Sequence, residues 1–143
     1  MQNLEVFVQI TESLDQILSE RKLITERFYS ENLFKSYPEF IPYFTGANMK
    51  VQAMMLMMAL QGVVFFVSGS YPAVEQYMQH LGTRHRKQGI PEELIPKFCE
   101  MLLATVAEFH GAAWDEKLSG QWRVALAGAT AKMLEGYKQD FEV

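Results

Sequence analysis

Apolar side chains recur at steps of three and four residues along most of the chain, which is the pattern of helices with one buried face. A first apolar stripe occupies positions 4, 7, 10, 14, 17 and 18, and a second helical stretch spans about 19–34. Further stretches span about 48–67, 72–87 and 116–137, and another opens at Pro91 with Leu94, Phe98, Leu102, Val106 and Phe109 in core spacing. No stretch alternates at period two for long enough to predict a strand. The pattern therefore predicts an all-α chain of six or seven helices.

Proline and glycine separate these helical stretches. The segment "SYPEFIPYFTGAN", residues 36–48, carries two prolines and a glycine, and it predicts a tight corner with at most a short helix. The segment "SGSYP", residues 68–72, ends one stretch, and Pro72 suits the first turn of the next. Asp115 follows the break at "HGAAW" and is a predicted helix cap. Connections this short predict a single domain over residues 1–143.

Composition narrows the class of protein. With 143 residues, the chain has the length of one domain with one core. A net charge of −4 and a pI near 5.4 argue against general affinity for nucleic acid, which needs a basic face. Cys99 is the only cysteine, which excludes an internal disulfide and favours a reducing compartment. The amino terminus lacks a secretory pattern, and the apolar run at 53–67 is interrupted by Gln61, so we expect a cytoplasmic protein without a membrane span.

Positive charge concentrates in "LGTRHRKQG", residues 81–89, where Arg84, Arg86 and Lys87 surround His85. Three explanations stay open: a helix carboxyl end that favours cations through its dipole, a nucleic-acid patch, or a histidine that binds a group carrying both metal and negative charge. An iron porphyrin is such a group, because it needs an imidazole ligand, apolar walls and cations near its two propionates. The sequence has no zinc-helix histidine spacing, phosphate-binding glycine loop or nucleophile elbow.

Four segments carry a family resemblance. They are "FYSENLFKSYPEFIPYF" (28–44), "MKVQAMMLMMAL" (49–60), "LGTRHRKQGI" (81–90) and "LSGQWRVAL" (118–126). The first has a Phe-Tyr pair, a Leu-Phe pair, a corner proline and a corner phenylalanine at Phe44. In this order and spacing the four segments resemble the globins, specifically bacterial single-domain haemoglobins and the globin domains of flavohaemoglobins. The resemblance implies a globin fold of six to eight helices around a pocket for haem b.

The resemblance also implies roles for individual residues. His85 would bind the iron from the proximal side. Arg84, Arg86 or Lys87 could supply the cation near the propionates, and Arg84 is counted among the cofactor-binding residues. Tyr29 and Gln52 would face the remaining coordination position and donate hydrogen bonds to dioxygen there. The remaining pocket walls would be Phe44, Leu56, Leu81, Ile90, Phe98 and Met133.

Simpler interpretations accompany these roles. Tyr29 and Phe44 also fit ordinary core aromatic residues, and Gln52 also fits a solvated helix residue. The methionines between positions 49 and 58 are expected to be adaptable core packing. We expect no second histidine on the proximal face, because His80 lies about 140° around the same helix from His85.

Two departures from the family bear on activity. Flavohaemoglobins polarise the proximal histidine with a tyrosine and a glutamate, and here Ile95 and Tyr137 occupy the aligned positions. No flavin or nicotinamide domain is present in the 143 residues, so we expect at most slow nitric-oxide dioxygenase activity with an external reductase as partner.

Three functions follow from the sequence. The leading one is a haem-binding globin that reversibly binds dioxygen, and also NO and CO, as a carrier, store or scavenger. The second is the gas-sensing domain of a larger signalling protein such as a nucleotide cyclase. The third is a haem-free helical interaction domain. A homodimer is compatible with each of them.

Overall fold

The structure, a computed structural model, describes residues 2–67 and 72–141, with side chains described from residue 9 onward. Within these ranges the α-helices are α1 (Gln2–Ser19), α2 (Arg21–Glu26), α3 (Phe34–Ser36), α4 (Met49–Phe65), α5 (Pro72–Lys87), α6 (Leu94–His110) and α7 (Glu116–Lys138). A π-helical segment, Arg27–Leu33, joins α2 to α3, and two 3-10 helices span Pro38–Phe44 and Gly111–Ala113. No strand occurs in the described residues, so the predicted all-α class is confirmed.

The predicted start of α6 at Pro91 is wrong, because the helix begins at Leu94. A turn precedes it, in which the amide of Leu94 donates to the carbonyl of Pro91 at 3.1 Å. Pro96 explains the difference. A helix that began at Pro91 would need an amide hydrogen at position 96, whereas in the first turn of a helix from Leu94 that hydrogen has no partner to lose.

Side-chain caps fix the starts of two helices. The side chain of Asn48 accepts hydrogen bonds from the amides of Lys50 and Val51 at 2.9 and 3.3 Å, at the start of α4. Asp115 accepts from the amide of Leu118 at 2.8 Å, which confirms the predicted cap of α7. The predicted break at residues 68–71 lies outside the described residues, as do the side chains at positions 4 and 7 of the first stripe.

One apolar core joins the helices. Ile10 and Ile17 of the first stripe are fully buried, as are Phe28 and Trp122. The indole of Trp122 donates to the hydroxyl of Ser13 at 3.0 Å, so the tryptophan is satisfied as well as buried. None of the described helices is long and apolar enough to cross a membrane.

Helices α5 and α7 pack backbone against backbone. A methyl group at Gly82 would overlap the carbonyl oxygen of Met133, and one at Gly136 would overlap the carbonyl oxygen of Gln79. Only glycine allows an approach this close. The crossing holds the part of α5 that carries His85 firmly against α7.

Candidate functional site

A cavity of about 660 Å³ lies between α4 and α5 and extends to α6 and α7. This volume is in the range of pockets that hold small organic molecules, about 300–1,000 Å³. All the residues predicted from the sequence to form the site line it, namely Tyr29, Phe44, Gln52, Leu56, Leu81, Arg84, His85, Ile90, Phe98 and Met133. The fold therefore brings the predicted set together, while the role of each residue stays a prediction.

The ring of His85 is held in one tautomer. Its Nδ1 lies 2.7 Å from the carbonyl oxygen of Leu81, one turn earlier on α5. A carbonyl only accepts, so Nδ1 carries the proton and the Nε2 lone pair is left for another partner. Burial lowers the pKa of His85, and the charge of Arg84 lowers it further, against the hydrogen bond to Leu81, which raises it. A neutral imidazole with a fixed tautomer is the form that binds a metal ion.

Tyr29 lies on the π-helical segment and is buried, with 3% of its surface exposed. Its ring packs against Phe28, Phe34 and Phe44, with centroid distances of 4.8, 5.9 and 5.0 Å. Burial raises the pKa of Tyr29 far above neutrality, so its hydroxyl keeps its proton and can donate. Among the described residues this hydroxyl has no hydrogen-bond partner. Because Tyr29 lines the cavity, its hydroxyl suits a site for a polar ligand.

The inward side of α4 carries Gln52 and Leu56 one turn apart, followed by Ala59 and Val63. Leu56 is buried and Gln52 is half-buried. These residues give the cavity an apolar wall with one amide group.

The expectation that the methionines of α4 are core packing is partly wrong. Met57 is buried, but Met54, Met55 and Met58 are 55%, 49% and 53% exposed. Met55 and Met58 also line the cavity. Methionine is found both in buried cores and on apolar surfaces, so the composition of this segment does not predict which methionines are buried.

His80, expected to lie off the proximal face, also belongs to the lining of the cavity. His80 lines it together with Tyr77 and Arg84, because the cavity covers a broad side of α5 and not a single stripe. Tyr77, His80 and Arg84 follow one another at steps of three and four residues, which is the spacing of one helix face. Sequence reasoning also missed wall residues on other elements, namely Phe40, Tyr43, Ile95, Cys99, Leu102, Leu126, Ala129 and Thr130.

The basic cluster divides between two environments. Arg84 lines the cavity beside His85, whereas Lys87 pairs with Asp140 beyond α7 at 3.2 Å. Tyr137, in the position that the resemblance assigns to a polarising glutamate, donates its hydroxyl to the carbonyl of Ile90 at 2.8 Å. It holds the turn after α5 and does not act on His85 directly.

A family model described as Globin matches residues 27–133. The chain belongs to the globin family. Two curated relatives of this globin are the flavohemoproteins of Bacillus thuringiensis subsp. konkukian (strain 97-27) and Bacillus anthracis, each 31% identical over 121 residues. Each alignment covers 78% of this chain and 30% of the relative. The globin therefore spans less than a third of the length of these relatives.

The residues around the cavity fit an iron porphyrin. One wall offers the free nitrogen of His85, apolar side chains line most of the surface, and Arg84 offers a cation for carboxylates. Among the described residues there is no group of three or more His, Cys, Asp or Glu that could hold a metal ion. A metal at His85 would thus take its other ligands from a bound group. Family membership and this fit support a haem-binding globin.

Proposed function

We propose that this globin holds haem b through His85 and binds dioxygen reversibly, with NO and CO as further ligands. The observation that carries the proposal is that one cavity is lined by both a neutral imidazole of fixed tautomer and a protonated phenol that makes no hydrogen bond to the described residues. The imidazole suits an iron ligand, and the phenol suits a hydrogen-bond donor to a polar gas. A haem in this cavity would supply the ferrous iron at which the gas binds.

The chain's own residues select the ligand in this proposal. Dioxygen acquires partial negative charge when it binds, whereas CO remains much less polar. The Tyr29 hydroxyl and the Gln52 amide therefore favour dioxygen, each by about 1 kcal/mol or more in a dry pocket. The apolar wall of α4 around Leu56 excludes water from the same space.

The environment of His85 favours reversible binding of dioxygen over fast conversion of bound dioxygen, as in nitric-oxide dioxygenase activity. Its Nδ1 donates to a neutral backbone carbonyl, which makes the imidazole less electron-rich than a carboxylate partner would. Any nitric-oxide dioxygenase activity is expected to be slow and to need an external reductase. A gas-sensing domain is the second candidate function, and the attachment of the end of α7 to α5, described below, favours it.

Visible spectra of the haem-loaded protein test the proposal. We expect one haem per chain, and ferrous protein whose spectrum changes with oxygen and returns when the oxygen is removed. A chain that takes up no haem would instead be a helical interaction domain. Immediate oxidation to the ferric form, without a stable oxygenated spectrum, would exclude an oxygen carrier or store.

A further inference from the structure

Thr83 stands two residues before His85 and is fully buried. Its hydroxyl donates to the carbonyl of Gly136 at 3.0 Å, with the carbonyl of Gln139 at 3.3 Å as a second acceptor. It also accepts a hydrogen bond from the amide of Phe141 at 3.1 Å. One side chain of α5 thus binds three backbone groups at the carboxyl end of α7 and just beyond it.

These contacts meet at the turn of α5 that orients His85. The carbonyl of Leu81 accepts from the His85 ring, and Gly82 touches the backbone of Met133. A methyl group at Gly136 would lie 2.6 Å from the Thr83 amide nitrogen. Movement of the end of α7 must therefore move this turn, and with it the carbonyl that holds the imidazole.

We propose that Thr83 is a positioning residue that ties the end of α7 to α5 and thereby fixes the orientation of His85. This inference rests on the proposed function, because it concerns His85 as an iron ligand. The consequence is a direct connection between the iron ligand and whatever acts on the chain around residue 141.

Thr105 offers a matched comparison. It is also fully buried, donates to the Met101 carbonyl at 2.8 Å, and accepts from the side chain of Asn32 at 2.8 Å. Its donated bond stays within α6, however. The bonds of Thr83 instead reach groups 53 to 58 residues further along the chain. Removing either hydroxyl lowers stability, but only the loss at Thr83 should release His85.

The test compares Thr83→Val, which keeps the shape and removes the hydroxyl, with Thr83→Ser, which keeps the hydroxyl. Thr105→Val is the control for a lost buried hydroxyl. The first measurement is the iron–histidine stretching band of the ferrous, haem-loaded proteins by resonance Raman spectroscopy. The second is hydrogen exchange at the Phe141 amide by NMR.

We expect Thr83→Val to shift or broaden the stretching band and to speed exchange at Phe141 by at least about fivefold. Thr83→Ser should retain the wild-type band, and so should Thr105→Val despite its lower melting temperature. If Thr83→Val does not fold, Thr83→Ala replaces it with the same expected band shift.

Three results would overturn the inference: an unchanged band in the Thr83 variant, an equal shift in Thr105→Val, or unchanged exchange at Phe141. A wild-type protein that takes up no haem, and so lacks the band, would refute the proposed function and this inference with it. The two failures are therefore distinguishable.

Discussion

Two of the helices that line the cavity, α4 and α5, are held in place by different kinds of contact. Helix α5 touches the backbone of α7 at Gly82 and Gly136, and the hydroxyl of Thr83 fastens the same crossing. Helix α4 meets α5 through side chains, and a methyl group at its Gly62 would meet only the flexible tip of Met78. Backbone contacts do not yield, whereas a methionine tip can move aside. In the proposed function α5 forms the proximal wall and α4 the distal wall, so the proximal wall is fixed at this crossing and the distal wall can adjust at Gly62.

The same two helices differ in charge. Lys50 is the only charged residue of α4, whereas the last turn of α5 holds Arg84, His85, Arg86 and Lys87. A fixed, charged wall suits the anchoring of a cofactor with acidic groups. An apolar wall that can adjust suits the entry and exit of small gases.

The largest expected effect is the loss of haem from His85→Ala. The variant removes the proposed iron ligand from the fixed wall, and the other histidine that lines the cavity, His80, lies about 140° around α5 from it. Haem content is measured from the ratio of haem absorbance to protein. His80→Ala should keep its haem. If His80→Ala loses haem and His85→Ala does not, the ligand is His80 and the assignment of the proximal wall is wrong.

The next largest effect is a difference in stability between substitutions in the α5–α7 crossing and in α4. Gly136→Ala forces a methyl group against the Gln79 carbonyl, and we expect it to lower the free energy of unfolding by about 1–3 kcal/mol or more. Gly62→Ala should cost much less, because the Met78 tip lies 2.7 Å from the added methyl and can turn away. Urea unfolding measures both variants.

Gly120→Ala is the control for this pair. Gly120 lies within α7, and nothing lies within 4 Å of a methyl group added there. Alanine should therefore raise the free energy of unfolding by about 0.5–1 kcal/mol. Equal losses in Gly62→Ala and Gly136→Ala would show that the distal wall is as rigid as the proximal one.

Local features of this fold follow from the sequence, and contacts between distant helices do not. Helix α5 begins at Pro72 and ends at Lys87 as predicted, because proline placement and apolar spacing are local signals. The start of α6 differs from the prediction because Pro96 lacks the amide hydrogen that a helix from Pro91 would need there. The importance of Gly82 and Gly136 could not be predicted, since each glycine matters only through a helix more than 50 residues away.

The candidate site shows the same division. His85 was predicted from its basic neighbours and the family pattern, and it lines the cavity. Helical geometry predicts that His80 lies about 140° around α5 from His85, off the proximal face, and it lines the same cavity. An angle around a helix axis gives a direction, but the width of a cavity depends on how far the neighbouring helices diverge. That separation is set by tertiary packing.

A smaller effect concerns Tyr29 and Gln52, the proposed hydrogen-bond donors to the gas. Tyr29→Phe keeps the ring in its aromatic cluster and removes only the hydroxyl. Losing about 1–2 kcal/mol of hydrogen bonding should speed dioxygen release roughly five- to thirtyfold. CO release should change little, because CO is less polar.

Gln52→Leu should act in the same direction, and the double variant should be less than additive if both donors share one network. Stopped-flow kinetics on the reduced protein measure both gases, and equal acceleration of the two would make Tyr29 a core residue only.

The smallest effect tests the charge difference between the walls. Arg84 is exposed at the cavity, so its attraction for a haem carboxylate should contribute less than about 1 kcal/mol, and Arg84→Gln should speed haem loss by at most about fivefold. Replacing Arg84, Arg86 and Lys87 together should have a larger effect. Both effects should shrink at high salt, which screens exposed charges.

Lys50→Gln is the control. Lys50 is the one charged residue of α4 and does not line the cavity, so its replacement should leave the rate of haem loss unchanged. Haem transfer to an excess of an unrelated haem-free acceptor gives the rates. If the triple variant matches wild type at low salt, the cations serve the end of α5 through its dipole and not the cofactor.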